Sequence, residues 1–223
     1  SDNRIAAIGP IQESLQQELS NVKENIESTE FTTHDGMKTW KVDNISEKMA
    51  AAQSERQNSV YSQPFYSSPA GYKMRARLYL NGDGNARRTH MSLFFALMKG
   101  EYDSILKWPF NHKVTFCLLD QSGQNQHVID SFRPDIKSTS FQRPTSEMNI
   151  ASGIPNFFPL PMIQQDDNNY VKDDTMFIKI IVDFADVPKS ILPFIFNLNP
   201  GLPSHVQQCL INEEIQKHDT SNK

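Results

Sequence analysis

The sequence predicts a mainly β domain, a sandwich or barrel, preceded by a helix that carries a coiled-coil seam. Three observations lead there. Short runs rich in aromatic and β-branched residues recur between residues 37 and 187, with turn residues between them. One of these runs alternates between two faces along its length. Residues 1–30, by contrast, are polar and place aliphatic side chains at heptad spacing.

The clearest strand runs are Tyr72–Leu80, His90–Met98, Val114–Asp120, His127–Phe132 and Met176–Phe184. In the first, Met74, Ala76, Leu78 and Leu80 fall on one side, while Lys73, Arg75, Arg77 and Tyr79 fall on the other. One face is therefore expected to be buried and the other wet or bound to something. Asn81-Gly-Asp-Gly84 follows as a turn. Many short strands with such turns fit a sandwich or barrel. Met49-Ala-Ala-Ala-Gln53 is expected to lie in one short helix.

At the amino-terminal end, a heptad with Ile5 at a also puts Gln12, Leu19 and Ile26 at a. It puts Ile8, Leu15, Val22 and Thr29 at d. Pro10 suits the first turn of a helix that starts there. Isoleucine at both a and d leans toward trimers over dimers. The same pattern suits an amphipathic helix packed on its own domain, and the spacing leaves both readings open.

Composition narrows the function. The net charge of −4 argues against a nucleic-acid partner. The apolar stretches are far shorter than a membrane span requires. Two cysteines rule out a disulfide framework or a multi-cysteine zinc site, and Cys117, in an apolar run, reads as a small core residue. With no signal peptide read at its start, the chain is expected in the cytoplasm. No histidine pair has zincin spacing, and neither a nucleophile elbow nor a P-loop occurs. Asn81-Gly-Asp-Gly-Asn85 lacks the ligand ladder of a calcium loop. No catalytic residues, cofactor or metal are expected.

Several ordered blocks then resemble one family. They are Asp35-Gly-Met-Lys-Thr-Trp-Lys-Val42, Ser62-Gln-Pro-Phe-Tyr66, Gly71-Tyr-Lys-Met74, Arg77-Leu-Tyr-Leu-Asn-Gly-Asp-Gly84 and Thr89-His-Met-Ser-Leu-Phe-Phe95. Trp108-Pro-Phe110, Phe132-Arg-Pro-Asp135, Ser140-Phe-Gln-Arg-Pro144, Met148-Asn-Ile-Ala-Ser-Gly153 and Tyr170-Val-Lys-Asp-Asp-Thr175 complete the set. Together they resemble the meprin and TRAF homology (MATH) domain, and within it the TNF-receptor-associated factor (TRAF) family, in the branch that reads Pro-x-Gln motifs.

The resemblance implies an eight-stranded antiparallel β-sandwich of TRAF-C type over residues 35–187, with a trimerising coiled coil over residues 1–34. It implies a signalling adaptor without enzymatic activity. Its partners would be cytoplasmic tails of TNF-receptor-superfamily members and related adaptor peptides, bound as short Pro/Ser-x-Gln/Glu-Glu segments. By family match, Arg77 and Tyr79 meet the peptide's acidic residue, and Asp83 contacts a polar donor. Ser138, Thr139 and Ser140 match a run of three serines, with Thr139 as the departure. Phe94, Phe132, Phe141, Ser152 and Gly153 match the pocket for the peptide's small or proline residue. Strand addition to a sheet edge is the expected mode.

Two other readings are a substrate-recruiting MATH domain of a ubiquitin ligase and a trimerisation module whose β domain binds nothing. Residues 188–223 have no counterpart in the resemblance. Three fates are open to them: packing on the sandwich, binding a neighbour, or disorder. A helix over Val206–Lys217 with Val206, Leu210 and Ile211 on one side is expected there, and Asp219–Lys223 is expected to fray.

Overall fold

In the computed structural model, which describes residues 8–30, 33–184, 187–199, 202 and 204–221, alternation along the strands becomes two sheets with a shared interior. Contacts divide the chain into two compact units, one ending at Thr32 and one beginning at Thr33.

The first unit contains a single described helix, α1 (Ile8–Glu30). Pro10 falls in its first turn, where a missing N–H costs nothing. Ile11, Leu15, Leu19 and Val22 recur at helical spacing and stay 59, 60, 71 and 52% exposed. The seam position Ile5 lies outside the described residues.

The second unit is built on β1 (Met37–Val42), α2 (Ile45–Gln53), β2 (Val60–Tyr61), β3 (Phe65–Tyr66), β4 (Lys73–Tyr79) and β5 (His90–Met98). There follow β6 (Lys113–Leu118), β7 (Val128–Phe132), β8 (Ser152–Pro159), α3 (Leu160–Gln164), β9 (Met176–Asp183), α4 (Leu192–Asn197) and α5 (Ser204–Ser221). One sheet has the order β1-β9-β6-β7. The other runs β2-β4-β5-β8, with β3 also pairing β4, and every pairing is antiparallel.

Nine strands among the described residues replace the expected eight because the edge beside β4 is broken. Ser62 breaks it. Its hydroxyl accepts from the Ala76 N–H at 2.9 Å, and its carbonyl accepts from Arg75 Nε and Nη2 at 3.1 and 2.9 Å. Pro64, which has no N–H to add to the ladder, completes the gap.

The interior follows period two. Met74, Ala76 and Leu78 of β4 and Met91, Leu93, Phe95 and Leu97 of β5 face Val114, Phe116 and Leu118 of β6 and Met176, Ile178 and Ile180 of β9. All are buried.

A second apolar cluster lies on the outer face of the β1-β9-β6-β7 sheet. Met37, Cys117 and Ile181 are covered by Ile191, Leu192, Ile195, Phe196 and Ile211. The tail therefore packs on the sandwich, and Cys117 is buried as expected but faces this cover. Lys113 and Asp183, paired across β6 and β9 and 3.7 Å apart, anchor its start. The Lys113 ammonium donates to the Val187 carbonyl at 3.2 Å, and the Val187 N–H donates to Asp183.

Helix α5 differs from expectation in two ways. It continues to Ser221 in place of fraying from Asp219, and Asn222 and Lys223 lie outside the described residues. Ile211 is buried as expected, but Gln207 shares its side, with Ile215 beside them, while Val206 and Leu210 are only half-buried. The Gln207 amide is satisfied by donating to the Leu202 carbonyl at 2.8 Å. No helix among the described residues is long and apolar enough to cross a membrane.

Candidate peptide-binding site

The alternation that buries Met74, Ala76 and Leu78 turns Arg75, Arg77 and Tyr79 to the outer face of the second sheet. Antiparallel register then sets Arg77 opposite Phe94 on β5, and Phe94 opposite Gly153 on β8. These three residues form one row across three strands, about 10 Å from end to end.

Arg77 is held firmly. Its Nε donates to Ser59 Oγ at 2.8 Å, and its guanidinium carbon lies 4.9 Å from the Tyr61 ring centre and 4.7 Å from that of Tyr79. Its terminal nitrogens have no acceptor among the described residues. A planar cation fixed in this way can meet a carboxylate with little further ordering.

Tyr79 packs edge-on against Phe94, with ring centres 5.4 Å apart. Burial pushes its phenol above the usual value and nearby Asp83 pushes the same way, against the opposing pull of Arg77. The hydroxyl therefore keeps its proton at neutral pH and can donate. Asp83 enters through the turn after β4, where its N–H donates to Ser92 Oγ at 3.0 Å. Ser92 in turn donates to the Pro155 carbonyl at 2.6 Å, which ties that turn to β8 across β5.

Phe132 and Phe141 form a separate pair with ring centres 6.2 Å apart, and Phe141 belongs to the sandwich interior. The ring contact of Phe94 is with Tyr79, not with this pair. Between Phe132 and Phe141 the chain makes a tight 3-10 turn over Thr139–Phe141. Ser138 caps it by accepting the Ser140 N–H at 3.2 Å, which leaves the Ser138 hydroxyl proton for other work. Thr139 is exposed and Ser140 is buried, so the three hydroxyls are not equivalent. Asn149 fastens this turn to the segment leading into β8, donating to the Ser140 and Gln142 carbonyls at 3.0 and 2.7 Å.

Strands β7 and β8 lie against each other at one border of the sandwich, each paired on one side only. The border next to Ser152 and Gly153 is thus not occupied by another strand among the described residues. Gly153 serves the fold directly. A Cβ there would stand 2.5 Å from the Leu93 carbonyl oxygen and 2.8 Å from Phe94 Cα. The close backbone approach at this glycine is that of β5. Gly153→Ala is expected to push β8 off β5 and cost about 1–3 kcal/mol, read as a lowered Tm in thermal denaturation.

Sequence comparison bears on what such a face belongs to. The TRAF/meprin MATH domain profile matches residues 57–179. TNF receptor-associated factor 1 of Mus musculus is 48% identical over 176 residues, covering 78% of this chain and 43% of the relative. The chain belongs to the TNF-receptor-associated factor family. TNF receptor-associated factor 2 of Homo sapiens is 49% identical over 75% of this chain and 33% of its own length. The TRAF chain described here thus spans less than half the length of these curated relatives. Among solved structures, Notothenia coriiceps TRAF5 superposes with a TM-score of 0.75 at 37% identity, covering 84% of this chain and 92% of that one.

Within this TRAF fold, three residues beside the site escaped sequence reasoning. Tyr61 and Ser59 come from the short edge before β4, and only their pairing with β4 brings them to Arg77. Asn149 acts through its amide on two carbonyls of a turn, a contact without a local signature. Among the described residues, no group of three His, Cys, Asp or Glu side chains is arranged to hold a metal ion.

Proposed function

We propose that this segment is the receptor-binding part of a cytoplasmic signalling adaptor with no catalytic chemistry of its own. It grips short Pro/Ser-x-Gln/Glu-Glu peptides from TNF-receptor-superfamily tails. The observation that carries the reading is the Arg77 guanidinium held between two tyrosine rings with its terminal nitrogens open, beside the Tyr79 phenol and two strands from the free border of β8. The relatives are TNF receptor-associated factors by name, which supports the same partner class.

The row Gly153–Phe94–Arg77 refines the mode. A peptide lying wholly along the border would leave Arg77 out of reach. The segment instead pairs its main chain at Ser152 and Gly153, near the hydroxyls of Ser138, Thr139 and Ser140. It then crosses over Phe94 toward Arg77, Tyr79 and Asp83. About three extended residues cover that crossing, which fits a Gln/Glu and an acidic residue close together in one motif. The Phe132–Phe141 side of the border takes the small or proline residue.

Each site binds modestly, because a short peptide loses its freedom on an open surface. The exposed stripe of α1 supports a trimeric coiled coil, and three linked sites would raise avidity for clustered tails. Calorimetric titration with a panel of receptor-tail peptides, alongside light scattering, tests both parts. Micromolar or weaker binding of Pro-x-Gln-Glu peptides by a trimer is expected. A monodisperse monomer removes the avidity argument, and a panel with no binder removes the site.

A further inference from the structure

Away from the peptide face, the tail leaves a pocket of about 220 Å³ against the outer face of the β1-β9-β6-β7 sheet. Leu119 from the sheet and Phe196 and Leu198 from the tail supply its apolar walls, and Lys179, Asp120, His127 and Asn197 are among its polar members.

Lys179 is the unusual member. It lies in the middle of β9, opposite Thr39 on β1 and Cys117 on β6, and only 4% of its surface is exposed. Among the described residues, the tail brings no carboxylate to the pocket. Among the described residues its ammonium forms neither an ion pair nor a hydrogen bond, unlike Lys113 on the neighbouring strand, which has Asp183 and the Val187 carbonyl. A buried cation without a partner is costly, and such groups are rarely retained for stability alone.

The surrounding groups do not supply the missing anion. Burial pushes the Cys117 thiol far up, so it stays protonated beside the lysine. The Asp120 carboxylate, also at the pocket, is spent on its own loop, accepting the Ser122 N–H at 2.7 Å and the Gln126 N–H at 2.9 Å. Asp35 acts on Lys179 only at a distance, too weakly to offset burial, which lowers the ammonium from its usual value. His127 accepts the Asp120 N–H on Nδ1 at 2.9 Å, which leaves its proton on Nε2 toward the Asn197 side chain. The pocket therefore sets the Lys179 ammonium and neutral hydrogen-bonding groups against apolar walls, while the one carboxylate among its described lining residues, Asp120, is held by its own loop.

We infer that this pocket binds a small organic carboxylate, its anionic group on Lys179 and its apolar body against Leu119, Phe196 and Leu198. The ligand completes a charge pair that the fold leaves open, and it bridges the sheet to the tail. Binding therefore stabilises the docked tail by mass action. The inference is independent of the peptide site, because it uses the opposite sheet.

The test uses the whole chain with benzoate and butyrate as probes and benzamide as the uncharged control. Millimolar benzoate is expected to raise the Tm of the wild-type chain and to shift the backbone amide resonances of His127, Lys179 and Leu198, whereas benzamide does neither. Lys179→Met keeps the length of the side chain and removes the charge. It is expected to abolish the benzoate response and, without ligand, to raise Tm by about 2–4 °C, because an unpaired buried charge is gone. Equal responses to benzoate and benzamide would overturn the inference, and the wild-type chain alone suffices for that comparison. So would a benzoate response that survives in Lys179→Met, or a lowered Tm for that variant, which would mean that the ammonium is already satisfied.

Discussion

Replacing Arg77 and Tyr79 together with alanine is expected to weaken binding of a Pro-x-Gln-Glu peptide by about 100-fold or more. A hydrogen bond to a charged group is worth about 1.5–3 kcal/mol, and every 1.4 kcal/mol is tenfold in affinity. The guanidinium is already pinned by Ser59 and the Tyr61 ring, so its share is not spent on ordering. The sandwich should survive, because both side chains stand on the outer face, clear of Met74, Ala76 and Leu78. Tyr79→Phe is the finer probe. It keeps the ring against Phe94 and removes the hydroxyl, with its hydrogen bond to Ser59, so it should cost affinity with only a small change in Tm. Binding should also fall with added salt, as expected of a partly exposed ion pair. An unchanged calorimetric affinity in the double variant takes this pair out of the site.

That Arg77 and Tyr79 share a face was legible from alternation alone, because strand side chains have period two whatever the tertiary context. What holds Arg77 was not. Tyr61 sits in a two-residue strand with Ser59 just before it, too short to carry a pattern, and only the register of that strand with β4 brings them near. The β7–β8 border was open to resemblance but not to periodicity. β8 reads Ser-Gly-Ile-Pro-Asn-Phe-Phe-Pro, and its prolines and glycine mask a strand that exists because β5 accepts Gly153 so closely.

The fate of the tail, by contrast, had a signal in the run Val114-Thr-Phe-Cys-Leu-Leu119. A half-solvated antiparallel strand alternates, whereas a near-continuous apolar run means cover on both faces. β6 shows such a run, with Val114, Phe116 and Leu118 on the interior and Cys117 under the tail. The strand needed a second layer, and Ile191, Leu192, Ile195 and Phe196 needed a surface. Matching those two demands puts the Ile191–Phe196 segment on the first sheet. Local periodicity in a six-residue helix is too short to state this by itself.

Ile195→Ala is accordingly expected to destabilise the whole second unit by about 2–5 kcal/mol, the range for emptying a fully packed aliphatic site. Ile195 is 2% exposed, on a par with sandwich residues, and sits in the cluster with Cys117 and Ile181. Ile180→Ala, on the inner face of β9, supplies the yardstick, since its neighbour Ile181 meets the tail from the same strand. Urea denaturation followed by tryptophan fluorescence reports on Trp40 and Trp108, both remote from the tail in sequence. If the tail is an integral layer, both variants lower the midpoint of one shared transition by comparable amounts. A tail that merely rests on a finished sandwich gives a different result: Ile195→Ala leaves the tryptophan transition in place while Ile180→Ala moves it. The buried Lys113–Asp183 pair argues for the first outcome, because it fastens the junction of β9 and the tail with charges that would otherwise be buried and unmet.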